Sequence, residues 1–282
     1  MPDGGLKTVF VNPYNGCVLH VESHAEAHSD FFSFIMAGHR RLWLPRPYGS
    51  YVVSYGVLVF FITLLTGLVL WWPKRWTRKA VRPRFTIHRP LRPARLTLDL
   101  HNVVGFYFLL PLIAICLTGL TFGLDWFSKS VYYAASGGET MQDYVLPLSD
   151  TTKVGAQTAS LDALYRKVRD ENPQACQFYF ALPATKADAY RVSIVHERGS
   201  YYKTDNLFFD QYSLSPLSGA GPYAGRYAEA KPADKAFRMM LDIHDGAVFG
   251  FWGKVVALLS CLVGASLPVT GLMLFIRRRN NH

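Results

Sequence analysis

Three stretches of this chain contain no charged residue at all: Tyr51–Trp72, His101–Gly123 and Val255–Ile276. They also lack the polar positions at a 3.6-residue period that a water-soluble core helix shows. At about 1.5 Å per helical residue, each is long enough to cross a hydrocarbon core of about 30 Å. Composition does not decide the matter, since 50% hydrophobic residues and 15% aromatics also suit a globular protein; the arrangement does, and it argues for a membrane protein.

Other absences narrow the chemistry. No Cys-x-x-Cys-His is present for covalent haem attachment, and the four cysteines form no metal or redox motif. No Ser-His-Asp arrangement and no paired-carboxylate spacing points to hydrolysis. No nicotinamide or flavin fingerprint is found, so any redox activity needs an outside electron donor. Residues 1–48 hold neither a signal peptide nor an apolar span. Cys116 and Cys261 lie inside apolar runs and read as packing residues, whereas Cys17 and Cys176 lie outside them and pair if that side is oxidising.

The charge that is present is unevenly spread. The net charge is +10, and Lys74–Arg95 holds nine Lys/Arg and no acid, while Arg277, Arg278 and Arg279 close the sequence. Basic residues crowded against apolar spans follow the positive-inside rule. The Lys74–Arg95 loop and the C-terminus are therefore expected in the cytoplasm, two crossings apart. Residues 1–48 and about 129–248 fall on the opposite side. The basic loop is read as a topology signal that also meets anionic lipid headgroups, and no nucleic acid is expected as a partner.

Outside the apolar runs, Thr8–Glu22 alternates as strand, turn and strand, with turn chemistry in Asn12-Pro13-Tyr14-Asn15-Gly16. Ser29–Leu44 predicts an amphipathic helix ended by Pro45 and Pro47. Leu161–Asn172 predicts a helix, and Gln177–Leu182, Ala189–His196 and Asn206–Asp210 predict strands of a small α+β unit. Ala233–His244 predicts a helix that leads into the last span. Two repeats stand out. The segment Thr8–Tyr14 resembles Asn206–Tyr212. Each apolar run carries a Thr-Gly-Leu, at Thr66–Leu68, Thr118–Leu120 and Thr270–Leu272. Small residues let helices approach, and a Thr hydroxyl bonds its own helix, so the triplets read first as helix-packing devices.

Among nine histidines, three precede the apolar spans. His39 lies 27 positions before Thr66, and His244 lies 26 before Thr270. With the same topology, the two fall at one depth on the outer side. His101 opens the span of opposite sense and falls on the cytoplasmic side. An ionisable group at the membrane boundary needs a partner. A helix cap or a headgroup bond would serve, and so would a metal. Haem iron takes two axial ligands, commonly neutral imidazoles. Two histidines from different helices clamp a flat macrocycle between apolar walls, and basic neighbours pair with its propionates. Arg40, Arg41 and Arg46 flank His39, Lys254 lies near His244, and Gly246, Gly250 and Gly253 offer a small-residue face. His24 and His28, at i, i+4 spacing, form a weaker metal candidate. His20, His88, His196 and His282 carry no assigned role.

These residues resemble the PepSY-associated transmembrane family, whose members include inner-membrane proteins of iron-regulated siderophore uptake and siderophore reductases. The matching motifs are His39-Arg40-Arg41-Leu42, Leu65-Thr66-Gly67 with Trp71-Trp72-Pro73, Asp99-Leu100-His101 with Gly105, Leu117-Thr118-Gly119, His244-Asp245-Gly246 with Gly250, and Thr270-Gly271 with the terminal arginines. The resemblance covers nearly the whole chain and implies a membrane α-helical fold. Three transmembrane helices would carry small α+β PepSY-like extramembrane segments. The expected division is a partial PepSY-like periplasmic segment (1–28), an interfacial helix (29–48), a span (49–73), a basic cytoplasmic loop (74–98), a second span (99–127), a periplasmic PepSY-like domain (128–243), a third span (244–276) and a cytoplasmic tail (277–282).

The family pattern has four spans, and an added N-terminal helix carries a histidine near the cytoplasmic face. The resemblance implies two b-type haems, the outer one held by His39 and His244 with Arg40 nearby. The inner one takes His101 and a ligand from that added helix. In this chain the outer haem is expected, and the inner one waits on a ligand from a second chain or an upstream segment. The implied function is electron transfer from a cytoplasmic donor to a periplasmic ferric siderophore at the bacterial inner membrane. The competing readings are a membrane-anchored PepSY module that binds or regulates a protease without chemistry, and a shortened gene product.

Overall fold

A computed structural model describes residues 7–12, 15, 17–23, 31–87, 93–153 and 158–280. The pair His24 and His28, together with His88 and His282, lies outside them, as do Pro13, Tyr14 and Gly16 of the expected turn. The chain forms two compact units, residues 1–59 and 60–282.

In the first unit, strands β1 (Lys7–Val11) and β2 (Val18–Ser23) form an antiparallel hairpin in which Val9 faces Val21 and Phe10 faces His20. Its turn is closed by Asn15, whose Oδ1 accepts the Cys17 N–H at 3.0 Å. Helix α1 (Phe31–Arg41) lies within the expected Ser29–Leu44 and ends on His39, Arg40 and Arg41. The chain leaves it through Leu42 and Trp43 at φ 50° and 58°. Trp43 folds back to stack on Phe34 and donates its indole N–H to the Phe34 carbonyl at 2.9 Å. That return works only because residue 38 is Gly: a Cβ there would lie 2.4 Å from the Trp43 ring.

Helix α2 (Tyr48–Trp71) begins in the first unit and ends in the second. Together with the stretch Ala247–Arg279, it is long and apolar enough to cross a membrane. Their exposed residues include Val69, Leu70, Phe251 and Trp252, each more than 70% exposed. Apolar surface on that scale needs lipid or another helix against it.

The apolar stretch from His101 is not one straight helix. Helix α4 (Pro93–Asp99) passes into a π-helical turn over Leu100–Val104, and the chain breaks at Phe108 before helix α5 (Leu109–Gly123). The two parts meet at 65°. Pro111 explains the break. It has no N–H to give to the Tyr107 carbonyl, and its ring would collide with that oxygen in a continuous helix. The expected single span over 99–127 is therefore a bent pair, and among the described residues there are two membrane-length helices, or three if the bent pair counts as one span.

Around the bend, Trp71 stacks on Phe106 at 4.0 Å, with the edge of Phe85 against both. Phe85 closes helix α3 (Arg78–Phe85), which Thr77 caps by accepting the Ala80 N–H. Arg84 of α3 donates to the Trp71 carbonyl.

Beyond α5, helix α6 (Asp125–Ser136) ends at Gly137 in the left-handed region. The α+β part follows. Helix α7 (Leu161–Glu171) packs its buried Leu164 and Val168 on a four-stranded antiparallel sheet in the order β3 (Gln177–Ala181), β4 (Tyr190–Val195), β5 (Thr204–Phe209), β6 (Pro216–Leu217). On β4, Tyr190, Val192 and Ile194 face the helix, and the residues between them turn outward. The expected Ala233–His244 helix is two, α8 (Pro232–Arg238) and α9 (Met240–His244), divided at Met239. The last helix, α10 (Gly250–Arg279), is 30 residues long.

Candidate functional site

α5 and α10 pack closely because small residues lie between them. A Cβ on Gly264 of α10 would sit 2.9 Å from Leu112, and one on Gly105 would sit 3.2 Å from Leu267. Leu112, Cys116 and Leu120 on α5 are buried, with Ser260 and Leu267 on α10. Cys116 is therefore a packing residue, whereas Cys261 is exposed on the helix surface.

Each end of this helix pair holds one histidine. His101 sits in the π-helical turn, a distortion often found at functional positions. Its Nδ1 lies 2.8 Å from the Thr270 hydroxyl on α10. His244 ends α9, and its Nδ1 lies 2.9 Å from the Thr118 hydroxyl on α5 and 3.2 Å from the Ile115 carbonyl. The glycine after each threonine makes room for the ring. A Cβ on Gly119 would be 3.3 Å from His244 Cε1, and one on Gly271 would be 3.4 Å from His101 Cε1. Phe122 meets the His244 ring edge to face at 5.7 Å. The Thr-Gly triplets, expected as helix-packing devices, thus bring Thr118 and Thr270 to the site, where neither was expected. A usable signal was present: two runs of opposite sense each carry a histidine at one end and a Thr-Gly at the other.

The third triplet differs. Thr66 donates its hydroxyl to its own helix, at Ile62 and Thr63, and nothing lies within 4 Å of a Cβ added at Gly67.

The three predicted ligands divide between the units. His39 and Arg40 are exposed in the last turn of α1 in the first unit. His101 and His244 are in the second, at opposite ends of the α5–α10 pair. The glycines near His244 do not form the open face expected of them. Gly246, at φ 80°, puts its backbone against that of Gly253, so that a Cβ on either would lie within 2.2 Å of the other's carbonyl oxygen. The two close the turn that feeds α10, and only Gly250 stays open. Among the described residues, no three His, Cys, Asp or Glu side chains converge on a metal. Haem asks for less, one imidazole on each face of the ring, and the imidazoles of His101 and His244, one at each end of the pair, are both held through Nδ1. The donor type at His101 and His244 fits haem iron.

At the other end of the pair, Arg277 of α10 donates to the Thr97 hydroxyl of α4 at 3.3 Å. The end of the basic loop and the basic C-terminal turn thus meet on one side. Asp99, 2% exposed, receives Arg95 at 2.8 Å just before the π-helical turn. In the α+β part, Cys176 is a free thiol that donates to the His196 carbonyl at 3.3 Å, and Cys17 is free as well, so neither is in a disulfide.

No curated protein matches this sequence. The model of the PepSY-associated TM region matches residues 1–278, and the chain, a multi-pass helical membrane protein with α+β parts, belongs to that family.

Proposed function

We propose that this protein is a haem-binding protein of the bacterial inner membrane that passes electrons from a cytoplasmic donor to a ferric siderophore in the periplasm. In this reading it crosses the membrane three times, the bent α4–α5 stretch counts as one span, and the C-terminus is cytoplasmic. The observation that carries the proposal is the pair of histidines at opposite ends of the α5–α10 pair, His244 held by the Thr118 hydroxyl of α5 and His101 by the Thr270 hydroxyl of α10. Such a pair offers one imidazole ligand near each face.

His244 would hold an outer haem together with His39, the partner chosen on sequence spacing, and Arg40 would pair with a propionate. His101 would hold a second haem near the cytoplasmic face, where a further imidazole must come from elsewhere. A bound bis-imidazole haem supplies one-electron redox chemistry. The basic loop holds anionic lipid on the donor side. A siderophore releases its iron more readily once the metal is ferrous, so a one-electron delivery outside the membrane suffices for uptake.

The test is the visible spectrum of the detergent-purified protein, oxidised and then reduced with dithionite. A Soret band with sharp reduced α and β bands is expected, and His244→Ala and His39→Ala are expected to lose the outer haem. A colourless protein after expression with added haem, or full absorbance in both variants, overturns the proposal. The colourless outcome leaves the membrane-anchored PepSY binding module as the function.

A further inference from the structure

Thr118 and Thr270 have one hydroxyl proton each, and each has a use for it within its own helix. Thr118 Oγ1 lies 2.8 Å from the Ala114 carbonyl and 3.0 Å from that of Ile115. Thr270 Oγ1 lies 2.9 Å from the Ser266 carbonyl and 3.1 Å from that of Leu267. A carbonyl oxygen only accepts, so both hydroxyls donate backward along their helices. What they then offer a histidine is a lone pair. The Nδ1 of His101 and of His244 must therefore carry the proton in the hydrogen bond to threonine. For His244 the Ile115 carbonyl at 3.2 Å makes the same demand, since an unprotonated Nδ1 there would face an acceptor.

In a neutral imidazole a proton on Nδ1 puts the lone pair on Nε2. We propose that Thr118 and Thr270 are positioning residues that fix this tautomer, Thr118 on α5 for His244 at the end of α9 and Thr270 on α10 for His101 in the π-helical turn. His244 and His101 are thereby presented as Nε2 donors. An imidazole whose Nδ1–H is already engaged is also a more basic ligand and cannot rotate away. Because the donor ring and its acceptor sit on different elements, the tautomer at each end depends on their packing, α9 against α5 for His244 and the π-helical turn against α10 for His101. Gly119 and Gly271 belong to the same device, since the ring lies over the position where a Cβ would stand.

The assignment rests on the haem reading only for its purpose; the tautomer itself can be read without haem. The experiment is ¹⁵N NMR of the haem-free, full-length protein in detergent with ¹⁵N-labelled histidine rings, His101→Gln and His244→Gln providing the assignments. Both rings are expected as Nδ1–H with unprotonated Nε2. Thr270→Val, which keeps the shape and removes the oxygen, is expected to move His101 to averaged shifts of mixed tautomers and to leave His244 unchanged. Thr270→Ser is expected to restore the single tautomer. Thr118→Val is expected to affect His244 less, because the Ile115 carbonyl remains. An Nε2–H signature in the unmodified protein, or an unchanged His101 in Thr270→Val, overturns the proposal. The first needs no variant, so a misfolded Thr270→Val does not shelter it. A haem titration of the same samples separates the two ideas. The stated tautomers without haem uptake sink the function and spare the threonines. If haem is bound, Thr270→Val is expected to weaken the inner haem by about 10–100-fold.

Discussion

Asp210 is 2% exposed and is surrounded by donors. Burial works against its charge, but the N–H groups of Asp150, Tyr212 and Ser213 and the Ser213 hydroxyl donate to it, and together they hold the carboxyl at about 2 against an ordinary 3.8. A folded value below the unfolded one means that the ionised form stabilises the fold. The contribution, about 2 kcal/mol, is complete above roughly pH 5 and drains as pH falls through about 2. Asp210→Asn is expected to flatten the acid limb of stability between those limits, read by near-UV circular dichroism against pH. Sequence made this aspartate visible only as the counterpart of Asn12 in the repeat. Its donors come from Asp150 as well as from the next turn, and no local pattern connects residues sixty apart in the chain. Arg238 is a second case. It is 4% exposed, and it donates to the carbonyls of Pro222, Ala224 and Thr204. Arg238→Met removes these three hydrogen bonds and is expected to destabilise the α+β part by about 3 kcal/mol in urea unfolding.

Helices are where the glycines separate. All three Thr-Gly triplets read alike in sequence, yet Gly119 and Gly271 each lie under an imidazole and Gly67 lies under nothing. Gly119→Val is expected to push His244 off Thr118 and to lower the melting temperature in detergent, while Gly67→Ala is expected to be neutral or stabilising by up to about 1 kcal/mol. A stronger effect belongs to Gly253→Ala. Its Cβ would lie 2.0 Å from the Gly246 carbonyl oxygen, a contact that only backbone displacement relieves. The loss is expected to be about 3 kcal/mol or more, seen as a cooperative shift of the thermal transition. Helix length and polarity were legible for α1, α2 and α7. The bend at Phe108 was not read from sequence, although Pro111 announced it. The divide at Met239 has no such marker.

For the molecule as a whole, the basic loop and the C-terminal arginines are expected on one side of the membrane, and Arg277 donates to Thr97 at the end of that loop. Cys17 and Cys176, both free and exposed, give a direct test on the other side. In intact spheroplasts, a membrane-impermeant maleimide is expected to label Cys17 and Cys176 and to spare Cys116 and Cys261, read by mass spectrometry of single-cysteine variants. Protection of both until the cells are lysed would reverse the topology.

Sequence by itself determined that this protein lives in a membrane, because charge-free runs and the basic residues at their ends are local properties that burial cannot hide. It also determined the family, through motifs spread in order along the chain, and it singled out His39, His101 and His244. Only the tertiary structure decided what the Thr-Gly triplets do. A hydroxyl that serves its own helix and a ring that arrives from another are independent in sequence; they become one unit when two antiparallel helices pack closely enough for Thr118 to reach His244 and Thr270 to reach His101.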